Sequence, residues 1–296
     1  MPDFAAHCLF GEKLDAPAPA ETYPALFRWG LQGPDLLFYR KALTGAPYHK
    51  IANQMHEVQT AELLGAMADY CAQCQGPEKV RAQAYLYGFA GHYVLDAICH
   101  PYVYWHQQQR HAADPKASEG ALHCSIESDM DMDLFGYLRG KSACTLEVQQ
   151  LYAMPVECQR AVGALYTHLL YQVYHILLSP AEVMASLQDT TRLQKALFSG
   201  SPVLLGAARA LGVVQGKGGD HYASHLKGRQ PRWDSLNLNQ QPWKNPWTGA
   251  ESNESVPQLM DRAAEYYQQL CDVLERNAAG ARLPVPAAVN FSGQPL

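Results

Sequence analysis

Three residues in one apolar stretch have the chemistry to bind a cation. Between Ala84 and Tyr102 the chain reads AYLYGFAGHYVLDAICHPY, and His92, Asp96 and His100 recur at i, i+4 and i+8. On a helix each step of four drifts only about 40°, so the three share one stripe. The stretch is apolar nearly all round, which predicts a buried helix. A carboxylate and two imidazoles on a buried stripe need partners or they cost several kcal/mol. A bound cation is the simplest single partner for all three. Downstream, His123 and Glu127 in HCSIE repeat the i, i+4 spacing. Imidazole nitrogen with carboxylate oxygen is a usual zinc pairing. A lone histidine at helical spacing is ordinarily a hydrogen-bonded core residue. Two pairs and a third histidine this close in sequence reverse that reading.

The elements that must carry these residues are helical. Pro101, Asp114 and Pro115 lie between the two sets, so the chain can turn and bring the second helix beside the first. His7 falls among apolar residues in a first helical turn. Glu21 to Leu31 reads as a short helix. Gly30 and Gly33 bracket a turn, and Pro34 suits the first position of a helix carrying Asp35. Asp35 there is either a carboxylate favoured by the helix dipole or a buried one aimed at the same cation. Thr44 to Tyr48 is a loop. Ile51 to Gln75 reads as one long helix, with His49 and His56 as further candidate ligands near its start. Gly76-Pro77 opens the next helix, and Pro101 predicts that it ends or kinks near Cys99. Ser118 to Tyr137 is the His123/Glu127 helix, and its Asp129, Asp131 and Asp133 read as a solvated face. His168 and His175, at i, i+7 on a helix from Pro155 to Leu178, read as packing. Further helices are expected at Ala181 to Phe198, Pro202 to Val213 and Pro257 to Arg276. The 220–255 segment, rich in Trp, Asn and Pro, is expected to wrap the surface with Trp233, Trp243 and Trp247 anchored. No strand alternation or internal repeat stands out. The expected fold is an all-α multi-helix bundle with a metal site in its core, as a single domain over 1–296. Its metal-site core is about 1–180, and helices and the wrapping segment follow over 181–296.

Composition narrows the function. Hydrophobic content of 48% against 17% charged supports a sizeable core in 296 residues. A formal charge of −5 gives no broad basic surface, which argues against duplex nucleic-acid binding. Bound divalent ions could still reverse the sign locally and attract a phosphate. Of eight cysteines only Cys71 and Cys74 make a CxxC, and no second pair follows, so a structural zinc knuckle is not expected. The others read as small core residues. The glycines between Gly212 and Gly219 follow no strand and form no phosphate loop. There is no basic, apolar leader at the start, no run long enough to cross a membrane, and no basic amphipathic stretch for docking on one. The expectation is a soluble cytoplasmic protein with reduced thiols.

Several segments together resemble one family. MPDFAAHCLFGE, GLQGPDLLFY, MHE, GFAGHYVLDAICHPY and HCSIESDMD, in that order, are similar to the zinc-dependent phospholipase C family, and more narrowly to a bacterial branch without a signal peptide. WKNPWTG and the following ES resemble that branch too, so the resemblance runs over nearly the whole chain. It implies an all-α bundle holding two or three Zn²⁺ ions, a fold shared with single-strand-specific nucleases. Carried over by position, Asp35, His56, His92 and Asp96 correspond to the ligands of one zinc, and His100, His123 and Glu127 to those of a second. His7 and the chain's amino group correspond to the third, with Asp96 bridging. His56 is preferred to His49 because it follows the family's MH pattern. Two features depart from secreted relatives. His100 comes four residues after Asp96, followed by Pro101, where those relatives place it six after, as P-x-H. Met1 precedes Pro2, so a free amine at Pro2 requires removal of Met1.

The implied activity is hydrolysis of a phosphodiester, with phospholipid as a candidate substrate. Metals about 3.5–4 Å apart would clamp the phosphoryl oxygens while metal-activated hydroxide attacks phosphorus in line. Asp35 stands at the family's general-base position, and Glu127 is a weaker candidate acid. The competing readings are a single-strand nuclease or other phosphodiesterase on the same site, and a metal-binding protein without catalysis.

Overall fold

A helix of 38 residues, Gly76–Ala113, forms the axis of the molecule, and the other helices that carry candidate residues are arranged around it. The computed structural model describes residues 3–42, 47–229, 231, 233–281 and 283–296. In chain order its helices are α1 (Phe4–Lys13), α2 (Ala18–Thr22), α3 (Pro24–Gly30), α4 (Tyr48–Glu57), α5 (Thr60–Gln73), α6 (Gly76–Ala113) and α7 (Glu119–Arg139). They continue as α8 (Val148–Leu151), α9 (Val156–Tyr174), α10 (Pro180–Leu197), α11 (Pro202–Val214), α12 (Asp220–Ala223) and α13 (Val256–Ala278). Short 3-10 turns cover Gly33–Leu37 and Ala143–Thr145. The only strands among the described residues, β1 (Trp243–Lys244) and β2 (Glu251–Ser252), pair antiparallel. The all-α bundle expected from the sequence is the fold found.

Burial explains the arrangement. From Ala84 to Val103 nearly every residue of α6 is buried, as its unbroken apolar character requires. α1, α2, α3, α5, α7, α9 and α13 all pack on it. Where α3 crosses α6, a Cβ on Gly88 would stand 2.1 Å from the Phe27 carbonyl oxygen, and one on Gly30 would stand 2.3 Å from that of Tyr85. Only paired glycines allow that crossing.

Several expected boundaries moved. The α6 helix does not end at Cys99 but continues through Pro101 for another three turns. The turn at Gly293 lies against the Ala97 carbonyl, whose α-helical donor Pro101 lacks, and against the Pro101 ring. The single helix expected from Ile51 to Gln75 is two, because Gln59 adopts left-handed geometry (φ 59°) between α4 and α5. Pro24 likewise divides the expected 21–31 helix into α2 and α3. Asp35 sits on a 3-10 turn rather than a regular helix. α9 stops at Tyr174, with His175 left-handed at its cap. Most of the expected loop at Thr44 to Tyr48 lies outside the described residues, and Tyr48 already belongs to α4.

The largest correction concerns α7. Asp129 and Asp131 are buried and Asp133 is half-buried, so the run is not a solvated face. Its partners come from the wrapping segment. Lys227, itself buried, reaches Asp131 and Asp3, while Arg229 and the Trp233 indole bind Asp129. The wrapping segment is pinned by its tryptophans as expected: Trp243 donates to the Glu254 carbonyl and Trp247 to that of Ser292.

Candidate metal centre

α1 brings His7 inward because its start is fixed twice. Asp3 caps it through the Phe4 N–H, and the Asp131 carboxylate accepts from the Ala5 and Ala6 N–H groups at 2.9 and 2.8 Å. Negative charge at a helix N-terminus satisfies free donors and the local dipole. Lys227 Nζ joins the two acids, 2.6 Å from Asp3 and 3.2 Å from Asp131. One turn inside, the His7 ring stacks on His92 with centroids 4.3 Å apart.

Gly33 admits His92 to its place. It has φ +47°, and a Cβ there would lie 2.3 Å from the imidazole Cδ2. The turn that follows carries Asp35, whose Oδ1 is 3.2 Å from His56 Nε2 on α4. Asp96 sits at the convergence point. Its Oδ2 is 3.2 Å from His92 Nε2 and 3.9 Å from His56 Nε2, and its Oδ1 is 3.2 Å from His7 Nε2.

These atoms approach without hydrogen bonding. Among the described residues, His7 Nδ1 and Nε2, His56 Nε2, His92 Nε2, Asp35 Oδ1 and both Asp96 oxygens are buried with no hydrogen-bond partner. In a core, so many orphaned polar atoms at one point demand another ligand. Four donors set tetrahedrally at zinc distances of 2.0–2.1 Å stand about 3.3 Å apart, close to the 3.2 Å spacings here. The donors form two overlapping groups, His7 with His92 and Asp96, and Asp35 with His56 and His92.

A third group lies along the same stripe. His100, His123 and Glu127 place one donor atom each within 4.8 Å of the others. His123 Nε2 is 2.7 Å from Glu127 Oε1, and His100 Nε2 is 3.8 Å from it. The shorter Asp96-to-His100 spacing still delivers His100 to this group, because α6 continues straight into the next turn instead of ending. His7, His92 and Asp96 are fully buried, whereas the side chains of His56, Glu127 and His123 retain 10%, 10% and 17% exposure. The opening therefore runs along His56 and Glu127 and is widest at His123. Phe38, Tyr104 and Trp247 stand around it, Phe38 against His56 and Tyr104 against His123 and Trp247.

Four histidines share one orientation. His92 Nδ1 meets the Leu31 carbonyl, His56 Nδ1 that of Ala52, His100 Nδ1 that of Phe291, and His123 Nδ1 the side-chain oxygen of Gln107. An Nδ1–H donated outward fixes the tautomer and leaves Nε2 as an inward lone pair, the usual way a metal-binding imidazole is held. Gln107 and Phe291 were not singled out from the sequence. Gln107 lies seven residues beyond His100 on the same stripe, which is a readable signal. Phe291 lies at the far end of the chain and leaves none. Its ring packs on His56, His92, Phe89 and Tyr93, and its N–H donates to the His56 carbonyl.

Charge follows this geometry. Burial pushes the Asp96 carboxyl up, but the facing His92 and contacts to His7 and His92 outweigh it and hold it well below the usual carboxylate range. Burial pushes His100 down to about 3, and lowers His123 and His7 as well. These imidazoles are thus neutral at ordinary pH, the form a metal requires. His92 is raised, burial being outweighed by Asp96 and Asp35.

Residues 4–164, more than half of the chain, match the family model described as zinc dependent phospholipase C. The chain belongs to this family. No match is found among curated proteins or among solved structures. The zinc-dependent phospholipase C assignment accords with the donor set of imidazole nitrogens and carboxylate oxygens, which suits zinc. The other candidates are placed elsewhere. His49 Nε2 binds the Phe38 carbonyl at 2.7 Å, and His168 packs against Tyr70. The chain's first two residues, and with them the expected amino-group ligand, lie outside the described residues. All eight cysteines are unpaired.

Proposed function

We propose that the protein is a zinc-dependent phosphodiester hydrolase of the phospholipase C type. The observation that carries this reading is the set of orphaned inward-facing donors in a chain of this family. His7, Asp35, His56, His92 and Asp96 would hold zinc around the buried Asp96. His100, His123 and Glu127 would hold it at the open end. When bound, zinc supplies the Lewis acidity that polarises a phosphoryl oxygen and acidifies water. Asp35, beside His56, accepts a proton from the attacking water. Glu127 at the opening is the nearest acid for the leaving alkoxide. Phe291, buried against His56 and His92, excludes water behind the histidines. No lysine or arginine lies among the donors, so bound ions would have to supply the offsetting charge for a phosphodiester. Phospholipid is the substrate the family implies.

A second reading has a specific support. Phe38, Tyr104 and Trp247 are half-buried rings at the opening, where bases of a single strand could stack. One panel separates the two: metal content by elemental analysis, then turnover of phosphatidylcholine, single-stranded DNA and a chromogenic phosphodiester. Asp96→Asn should lose zinc and reduce turnover more than about a hundredfold. Full turnover with zinc-free protein would end the zinc-dependent reading, no turnover of any of the three would end the hydrolase reading, and preference for DNA would transfer it to the nuclease.

A further inference from the structure

α11 is an apolar helix with almost no cover. Its sequence, PVLLGAARALGVV, carries one charge, Arg209. Val203, Leu204, Leu211, Val213 and Val214 are 79%, 40%, 37%, 65% and 83% exposed. Only Leu205, Ala208 and Gly212 turn toward the protein, spaced i, i+3, i+7 on one narrow stripe. Gly212 is the closest point, where a Cβ would stand 2.1 Å from the Gly218 carbonyl oxygen. Solvent-facing helices normally place polar residues opposite such a stripe, and this one places valine and leucine there. A patch of this kind marks an interaction site.

The neighbouring surface carries the complementary charge. A cavity of about 660 Å³ opens between α11 and α7, lined among others by Arg110, Arg209, Arg229, Asp129 and Asp220. Three guanidinium groups face two carboxylates, an excess of positive charge on a chain of net charge −5. Arg110 lies over the Trp233 ring at 4.3 Å, and Arg209 is 3.8 Å from Asp220. Ser125 and Asp129 line this cavity from α7. They lie about 200° around that helix from His123 and Glu127, so the cavity is one helix width, about 10–12 Å, from the open end of the metal centre.

We infer that α11 is a membrane-docking helix that lies in the interfacial layer of a phospholipid bilayer, with the adjoining arginine-lined cavity taking a lipid phosphate. A protein partner would cover one stripe of α11, whereas the hydrocarbon boundary can solvate its whole exposed arc. Thirteen residues span about 20 Å, too short for a bilayer core of about 30 Å, so the helix lies along the surface rather than crossing it. The inference gains its purpose from the proposed phospholipid substrate, but the binding it describes needs no catalysis.

The test is co-sedimentation with phosphatidylcholine vesicles, with and without phosphatidylglycerol, alongside hydrolysis of a soluble chromogenic phosphodiester. The wild type should bind vesicles. Val213→Asp combined with Val214→Asp should weaken binding at least about tenfold, with soluble-substrate turnover unchanged. Arg209→Gln should remove the gain contributed by phosphatidylglycerol. Undiminished binding by the double variant overturns the inference, as does a wild type that binds neither vesicle. A concentration-dependent dimer dispersed by the same substitutions also overturns it, assigning α11 to a second copy of the chain. Vesicle binding without soluble-substrate turnover supports docking and removes the hydrolase reading alone.

Discussion

At the scale of single residues, four of the donor histidines are set by what the outward nitrogen touches. Gln107 is the most telling case, because it is the only side chain that performs this task for the four oriented rings. Gln107→Ala should lower zinc affinity about 10- to 100-fold without unfolding the protein, read by competition with a chelator. An unchanged affinity would show that His123 does not depend on its orientation. Protonation has a direction that can be worked out. Burial pushes His100 down to about 3, and burial with Arg110 nearby pushes His106 down to about 4. Unfolded imidazoles take protons near 6.5, so below that pH the unfolded chain binds more protons and stability falls as pH falls. His92, raised by Asp96, opposes this but is outnumbered. Melting temperatures of chelator-treated protein should therefore drop from about pH 6.5 to about pH 4, and a flat profile would contradict the burial of these rings. The donors themselves were readable from sequence, since His92, Asp96 and His100 share one stripe whatever surrounds them. Their outward partners were not, because three of the four are backbone carbonyls, which any residue type supplies.

At the scale of elements, helix identity was legible and helix ends were not. Pro101 signals a stop by local chemistry, yet α6 continues because the 293 turn covers the carbonyl left without a donor. Gln59 breaks a run that propensity would continue. The acidic run of α7 looks solvated until Lys227 and Arg229 arrive from about a hundred residues downstream. Each failure is a local preference overruled by a distant contact. The segment 289–293 is the strongest instance. It has little regular structure, yet Tyr93 binds the Val289 carbonyl, Asn290 binds that of Glu57, and Phe291 fills the space between His56 and His92. Phe291→Ala should destabilise the protein by about 3–5 kcal/mol. It should also accelerate zinc loss, measured by chelator-induced release. Stability lost with zinc retention unaltered would limit the segment to packing.

At the scale of the whole molecule, the family match ends at residue 164 while the fold does not. α13 packs on both α5 and α6, and its Tyr267, Leu270 and Leu274 are buried. Residues 4–164 expressed alone would expose that surface of the axial helix. They should lack a cooperative melting transition, observable by calorimetry. A sharp transition in that fragment would mean that the later helices are an accessory rather than part of one domain. Composition predicted the buried core well, because nearly half the chain is hydrophobic. It could not announce α11, whose leucines and valines look like core residues until the arrangement leaves them outside.

The carbonyl that steadies His100 belongs to Phe291, 164 positions after Glu127, the last donor in chain order. Synthesis runs in one direction, so every donor is made well before the residue that orients one of them. The open end of the centre therefore takes its final form only once that later segment has docked beside His100.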